Sequence, residues 1–411
     1  MPKALEDVRV IDLGHVLAAP TAAMILADLG ADVIHLDPPH GDDARQFGPF
    51  RNGHSGYFAS INRNKRSVVV DLKTQGGARV LRDLIRASDV VLENYRPGTL
   101  ERLGFSYEVM AELNPRIIYA SICGFGHDAL PEYADKPAYD MVAQAFSGLM
   151  SITGPEGGPP VRVGTSVGDI TAGHQCAIAI LAALWYRERT GRGQVVDMSM
   201  VDGLVYILEN AIVRYTLSGQ IPAPLGTRHP AITPFRAYPT ADSWIVIALG
   251  NDGLWQTFCE AIGRPDLAAD ARFQTNALRT QHHEELDKLL EPVTRARTTG
   301  EWVALLEAHH LPYSPIQNVD QVVHDPNLRH RGMIAEVNQP GMGPVEIVGS
   351  PFHLSETPGT VRTPAPTLGQ HTEEVLRRVL GYDRERIEEL IEIGAVKGPV
   401  QGPGPSEGPG P

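Results

Sequence analysis

Cysteine is scarce, with 3 in 411 residues: Cys123, Cys176 and Cys259. Spaced this widely they form no CxxC pair and no disulfide framework, so a reducing compartment, the cytoplasm, is expected. No HExxH pair occurs. The doublets His282/His283 and His309/His310 point to different faces of a helix, so no metal site is expected. The GxGxxG fingerprint is missing from the first turn, which reads GHVLAAP (14–20). Without those glycines the backbone cannot close on a pyrophosphate in the usual way, which argues against a nicotinamide cofactor and a dehydrogenase. Basic residues are the minority, 36 Lys+Arg against 49 Asp+Glu, a net charge of -13. That balance disfavours nucleic acid and anionic membranes as partners, but a local basic patch could still serve a small anionic ligand. No signal-peptide pattern opens the chain, and no apolar run looks pure enough to span a bilayer.

What is present is an ordinary globular composition, 42% hydrophobic and 21% charged, with room for two domains or one large core. VRVIDLG (8–14), PTAAMILADLGA (20–31) and DVIHLD (32–37) read as strand, helix and strand. Pro20 suits a first helical turn and Gly30 a stop, so a βαβ unit and a parallel sheet follow. SVVVDL, residues 76–87, DVVLEN and RIIYASICGFG continue the alternation. The fold class is therefore α/β, a Rossmann-like parallel-sheet domain with a smaller α+β domain. Composition places the boundaries: 1–220 for the first part of the large domain and 221–325 for the small domain, entered through the proline-rich IPAPLGTRHPAITP. Residues 326–396 follow it, and 397–411 form a Gly/Pro tail without expected order.

The chain is organised around residues 163–193, VGTSVGDITAGHQCAIAILAALWYRERTGRG. One carboxylate, Asp169, stands in a glycine-flanked turn before a long helix that ends at Gly191. It is either an N-cap, for which aspartate is well suited, or a nucleophilic carboxylate with small neighbours that leave room for a substrate. Arg63, Lys65 and Arg66 enter one strand and Lys73 follows it. They form either a solvated turn or a phosphate grip.

Three longer words carry a resemblance: KPAYDMVAQAFSGLMSITG (136–154), GGPPVRVGTSVGDITAG (157–173) and ALWYRERTGRGQVVDMSMVDG (183–203). Together they resemble the family III CoA-transferases, and the likeness runs from Val8 past Gly349. It implies an enzyme that moves CoA between an acyl-CoA and a small carboxylic acid, with Asp169 as the catalytic group carrying covalent intermediates. It implies CoA contacts from His15, Val16, Leu17 and Ala18, from Asp71, Leu72, Lys73 and Thr74, and from Asn94, Arg102, Lys136 and Tyr139. It further implies that residues 326–396 return to the large domain, and a homodimer of interlocked chains.

Where family members carry an arginine after the second strand, this chain has Pro38-Pro39-His40, so Arg45, Arg51 or a different grip must serve the adenine end. The related racemase branch has histidine at the position of Tyr139. A phenol titrating near 10 is a poor acid/base partner at neutral pH, so transfer is favoured over racemisation or epimerisation. A protein that binds CoA esters without turnover stays open as an alternative. By the same likeness Gly250, Asn251, Asp252 and Gly253 stand in a substrate loop. Arg228 and His229 are candidates to pair with a second carboxylate.

Overall fold

The computed structural model describes residues 3–399, which form two compact units. Among the described residues the larger unit holds 3–149, Val163–Ile212 and 326–399. Its sheet uses β1 (Arg9–Asp12), β2 (Asp32–Asp37), β3 (Lys65–Val70), β4 (Val90–Glu93), β5 (Ile118–Cys123), β6 (Val195–Ser199) and β7 (Val396–Lys397). The order is β7-β3-β2-β1-β4-β5-β6, parallel throughout except for antiparallel β7. Strands buried on both faces read as apolar runs, and Val10, Ile11, Val33, Ile34, Val90 and Val91 are all at or near zero exposure. The strand order reverses between β1 and β4. In a doubly wound sheet the crevice beyond the carboxyl ends of those two strands is where ligands sit.

The larger unit also carries the helices α1 (Ala18–Asp28), α2 (Gly56–Ile61), α3 (Gln75–Arg86), α4 (Asp140–Phe146), α5 (Val167–Thr190) and α6 (Met200–Tyr206), of which α1 and α5 pack directly on the sheet. In α5 the residues Gly168, Ala172, Gly173, Cys176, Ala177, Ile180, Ala183, Leu184 and Arg187 are buried, one stripe at helical spacing. Gly173 is required in that stripe. A Cβ there would lie 2.8 Å from the Ala18 carbonyl oxygen and 2.8 Å from Thr21 Cβ. The small residues the sequence reading took as space for a substrate are thus partly the seam between α1 and α5. Gly191 stops the helix in the left-handed region at φ 72°, its N–H donating to the Arg187 carbonyl. By length and composition α5 is apolar enough to cross a membrane, against the sequence expectation; its buried stripe packs on α1, β5 and β6.

The smaller unit comprises Met150–Arg162 and Val213–Asp325. It has an antiparallel sheet of Phe235–Pro239, Trp244–Ala248 and Tyr313–Pro315. Trp255, Phe258, Phe273 and Trp302 fill its core beside the sheet. The short Gly/Pro-rich stretch 150–162 belongs to this unit, not to the large domain where composition had put it. The crossing falls at Val213, ahead of the proline-rich segment. Lys397, assigned to the tail, ends an edge strand; residues 400–411 lie outside the described residues.

Candidate active site

Asp169 lies inside α5, in its first turn, and not in a turn before it. The helix starts early because its cap comes from elsewhere. Ser166 makes no side-chain cap, and instead Asp140 Oδ1 at the start of α4 accepts the Gly168 N–H at 2.8 Å. Asp140 is buried and steadied by Gln144 Nε2 at 2.8 Å. A Cβ on Gly168 would meet Asp140 Oδ1 at 3.1 Å and Leu204 Cδ1 at 3.2 Å, so glycine permits the close approach. Two carboxylates therefore sit at one helix entrance. Burial, and next the charge of Asp140, push the Asp169 carboxyl up to about 7. The sequence reading missed Tyr57 on α2. Its hydroxyl is pushed up by burial and by the charges of Asp169, Asp42 and Asp140, which places it in the same field.

The crevice beyond β1 and β4 holds a cavity of about 590 Å³. It gathers His15, Asp71, Leu72, Lys73 and Arg102 from the expected contacts and adds Pro38, Pro39, His40 and Tyr95. His40 thus stands in the wall near the place of the arginine the family led us to expect. Arg45 instead pairs with Asp37 (3.0 Å), and Arg51 donates to the Pro344 carbonyl (2.8 Å). The remaining expected contacts have structural duties. Thr74 caps α3 through the Gly77 N–H, and Asn94 grips the His15 backbone from both sides, at 2.7 and 2.9 Å. Val16 sits at φ 63° and Leu17 and Ala18 open α1. Leu17 also lines a smaller, mostly apolar cavity with Thr21, Ile170 and His174. Neither Lys136 nor Tyr139 lines the large cavity: Lys136 stacks on Tyr133 at 4.1 Å, and Tyr139 is 80% exposed.

Of the basic cluster Lys73 alone lines the cavity, and the other three form neither a solvated turn nor a phosphate grip. Arg63 is buried on Asp28 (2.7 Å), Lys65 on Asp12 (2.9 Å), and Arg66 pairs with Asp32 (2.6 Å). In the smaller unit, Arg228 meets Glu156 at 3.3 Å and His229 stacks on Phe235. Asn251 caps the helix Asp252–Ala261, Asp252 pairs with buried Arg279 at 2.7 Å, and Gly250 and Gly253 flank them.

Among the described residues one group has metal-ligand spacing, Cys123, His127 and Asp197. Its atoms are already engaged. Asp197 accepts the N–H groups of His127 and Asp128, His127 Nε2 lies 2.6 Å from Ser121 Oγ, and burial pushes the Cys123 thiol up to about 11.

Residues 5–372 match the CoA-transferase family III. Over 397 residues the chain is 38% identical to the succinyl-CoA:glutarate CoA-transferase of Mus musculus, covering 96% of this chain and 91% of that one. It is 41% identical to the acetyl-CoA:oxalate CoA-transferase of Acetobacter aceti, over 83% of this chain and 88% of that one. A crystal structure of a CAIB/BAIF family protein from Brucella suis superposes with a TM-score of 0.82 at 34% identity, covering 92% of this chain and 100% of that one. The chain belongs to CoA-transferase family III and is an enzyme that transfers CoA between an acyl-CoA and a free carboxylic acid.

Proposed function

We propose that this transfer runs through covalent intermediates on Asp169, with the nucleotide end of the CoA substrate in the cavity beyond β1 and β4. One observation carries the reading: a carboxylate pushed up to about 7 at a helix entrance, beside a second carboxylate. Its anion is poorly solvated and repelled by Asp140, and both penalties vanish when it becomes a neutral acyl group.

The Asp169 carboxylate attacks the donor thioester carbonyl; the C–S bond breaks, CoA thiolate leaves and an aspartyl–acyl anhydride remains. The thiolate then attacks the aspartyl carbonyl, freeing the donor acid and leaving aspartyl-CoA thioester. The acceptor carboxylate attacks that thioester, giving a new anhydride and thiolate again. Attack by the thiolate on the acceptor carbonyl yields the new acyl-CoA and restores Asp169. Each step exchanges activated carbonyls of similar energy. Asp169 stands in the first turn of α5, at the positive end of the helix dipole, which favours the negative charge of each tetrahedral adduct.

Lys73 and Arg102 supply cations for the phosphates of CoA. The names of the relatives support dicarboxylates as the exchanging acids. A homodimer is supported by the outer face of α5 and α6, where Trp185 is 68% and Tyr206 83% exposed, more apolar ring surface than a lone chain usually presents. Mixing succinyl-CoA with isotopically labelled glutarate or oxalate tests the function. Labelled acyl-CoA forms with wild type and is lost with Asp169→Ala; exchange retained by that variant would refute the covalent route.

A further inference from the structure

The turn after β1 is held by an unusual set of partners. Its three successive backbone N–H groups are each taken by a side chain. Gly14 donates to Asp12 Oδ1 (2.9 Å), His15 to Asn94 Oδ1 (2.7 Å), and Val16 to Asp42 Oδ1 and Oδ2 (3.1 and 3.3 Å). Val16 needs such a grip. It is β-branched and sits at φ 63°, a conformation that persists only when its surroundings impose it.

Two of these acceptors, Asp12 and Asp42, are fully buried, as is a third carboxylate, Asp37, whose Oδ1 receives the Asp42 N–H at 3.1 Å. All three surround His35 on β2. Its Nδ1 is 3.1 Å from Asp12 Oδ2, and its Nε2 is 3.6 Å from Asp37 Oδ1 and 3.8 Å from Asp42 Oδ2. Nε2 has no hydrogen-bond partner of its own, although His35 is at 0% exposure.

Charge counting gives this arrangement its meaning. Lys65 lies on Asp12 at 2.9 Å and Arg45 on Asp37 at 3.0 Å, two cations for three carboxylates. The cluster is neutral when His35 is an imidazolium. Burial alone would lower that pKa, but Asp37 and Asp12 overcome it and push His35 up to about 9. The other titratable groups facing the cluster stay neutral. Burial lowers His15, and burial with the nearby carboxylates raises Tyr57 and Tyr95.

We propose that His35, charged and enclosed by Asp12, Asp37 and Asp42, is a positioning residue for the CoA ester, because it holds the turn that links the large cavity to the start of α1. His15 from this turn lines the cavity, and the Ala18 carbonyl just after it abuts Gly173, one helical turn beyond Asp169. Loss of the His35 proton leaves three carboxylates sharing two cations. Asp42, which has no cation of its own, grips Val16. The turn then loosens and the ester binds less tightly, while Asp169 itself is untouched. The inference rests on the transfer reading above.

The test is isothermal titration of the full chain with a thioether analogue of an acyl-CoA, in which no bond can be exchanged. Wild type and His35→Gln are compared from about pH 7 to about pH 10, a range spanning the His35 proton loss, with a melting curve at each pH. Wild-type Kd rises ~10-fold across that range, while His35→Gln starts ~10-fold weaker and stays flat. A folded His35→Gln with wild-type Kd, or a wild-type Kd that does not move, overturns the proposal. Should His35→Gln fail to fold, Asp42→Asn decides. It keeps an acceptor for Val16 and leaves two carboxylates for two cations, so its Kd is near wild type and independent of pH. A wild-type pH dependence retained by Asp42→Asn overturns the proposal. Exchange activity without the His35 profile sinks this inference alone, and the profile without exchange sinks the transfer reading alone.

Discussion

Two groups of desolvated carboxylates lie in the larger unit, and they are treated in opposite ways. Asp12 and Asp37 at the ends of β1 and β2 are enclosed by Lys65, Arg45, His35 and Ser67. Burial alone would raise them, yet those cations and donors hold both well below the usual carboxylate range. Asp169 at the entrance of α5 is desolvated too, but its charged neighbour is another acid, Asp140, and it is pushed up to about 7. Burial is common to both, so it is the sign and supply of partners that separates a structural acid from a reactive one.

Removing an acid from each group gives the largest contrast. Asp169→Ala abolishes exchange, by ~10⁴-fold or more, yet leaves the protein folded. Asp12→Ala leaves Lys65 and His35 buried without their carboxylate and costs about 3–5 kcal/mol of stability, read by denaturant unfolding. Equal unfolding by the two variants would erase the comparison.

Their acid limits also diverge. The depressed pKa values of Asp12 and Asp37 contribute stability that is present above the ordinary carboxylate pKa and lost as pH falls through the lowered values. The raised pKa of Asp169 works the other way: it penalises the folded state as pH climbs from 3.8 to about 7. Asp169→Asn therefore melts higher than wild type above pH 7, by roughly a few degrees, and level with it in acid.

Arg102→Ala tests the cavity and not the carboxylate. KM for the acyl-CoA rises ~10-fold with kcat little changed, the loss of one charge-assisted phosphate contact. The smallest effect comes from Asp140→Asn, which keeps an oxygen for the Gly168 N–H but removes the repelling charge. The limb of kcat/KM governed by Asp169 then moves to lower pH, and activity rises a few-fold below pH 7. A limb that moves upward would show that Asp140 acts otherwise.

The layout of the large domain was legible because its signals are local. Apolar runs closed by Gly30 and Gly191 mark helix stops whatever lies elsewhere in the chain, and both glycines take positive φ. The setting of Asp169 among small residues left it either a cap or a nucleophile, the family resemblance chose between them, and its place inside the helix was not legible. The cap that lets α5 begin early comes from Asp140, 28 positions upstream of Gly168. The same limit misled the reading of Arg63, Lys65 and Arg66. Their spacing suggested a ligand grip, while their true partners Asp28, Asp12 and Asp32 sit 34 to 53 positions away on other elements. His35 carried no local signal at all; its role depends on three carboxylates that the fold brings around it.

The central claim is that Asp169 itself becomes acylated. Wild type mixed with acyl-CoA, quenched with hydroxylamine and digested should yield a hydroxamate on the peptide carrying Asp169, absent without acyl-CoA. A protein that exchanges CoA at full rate yet leaves that side chain unmodified would contradict the account.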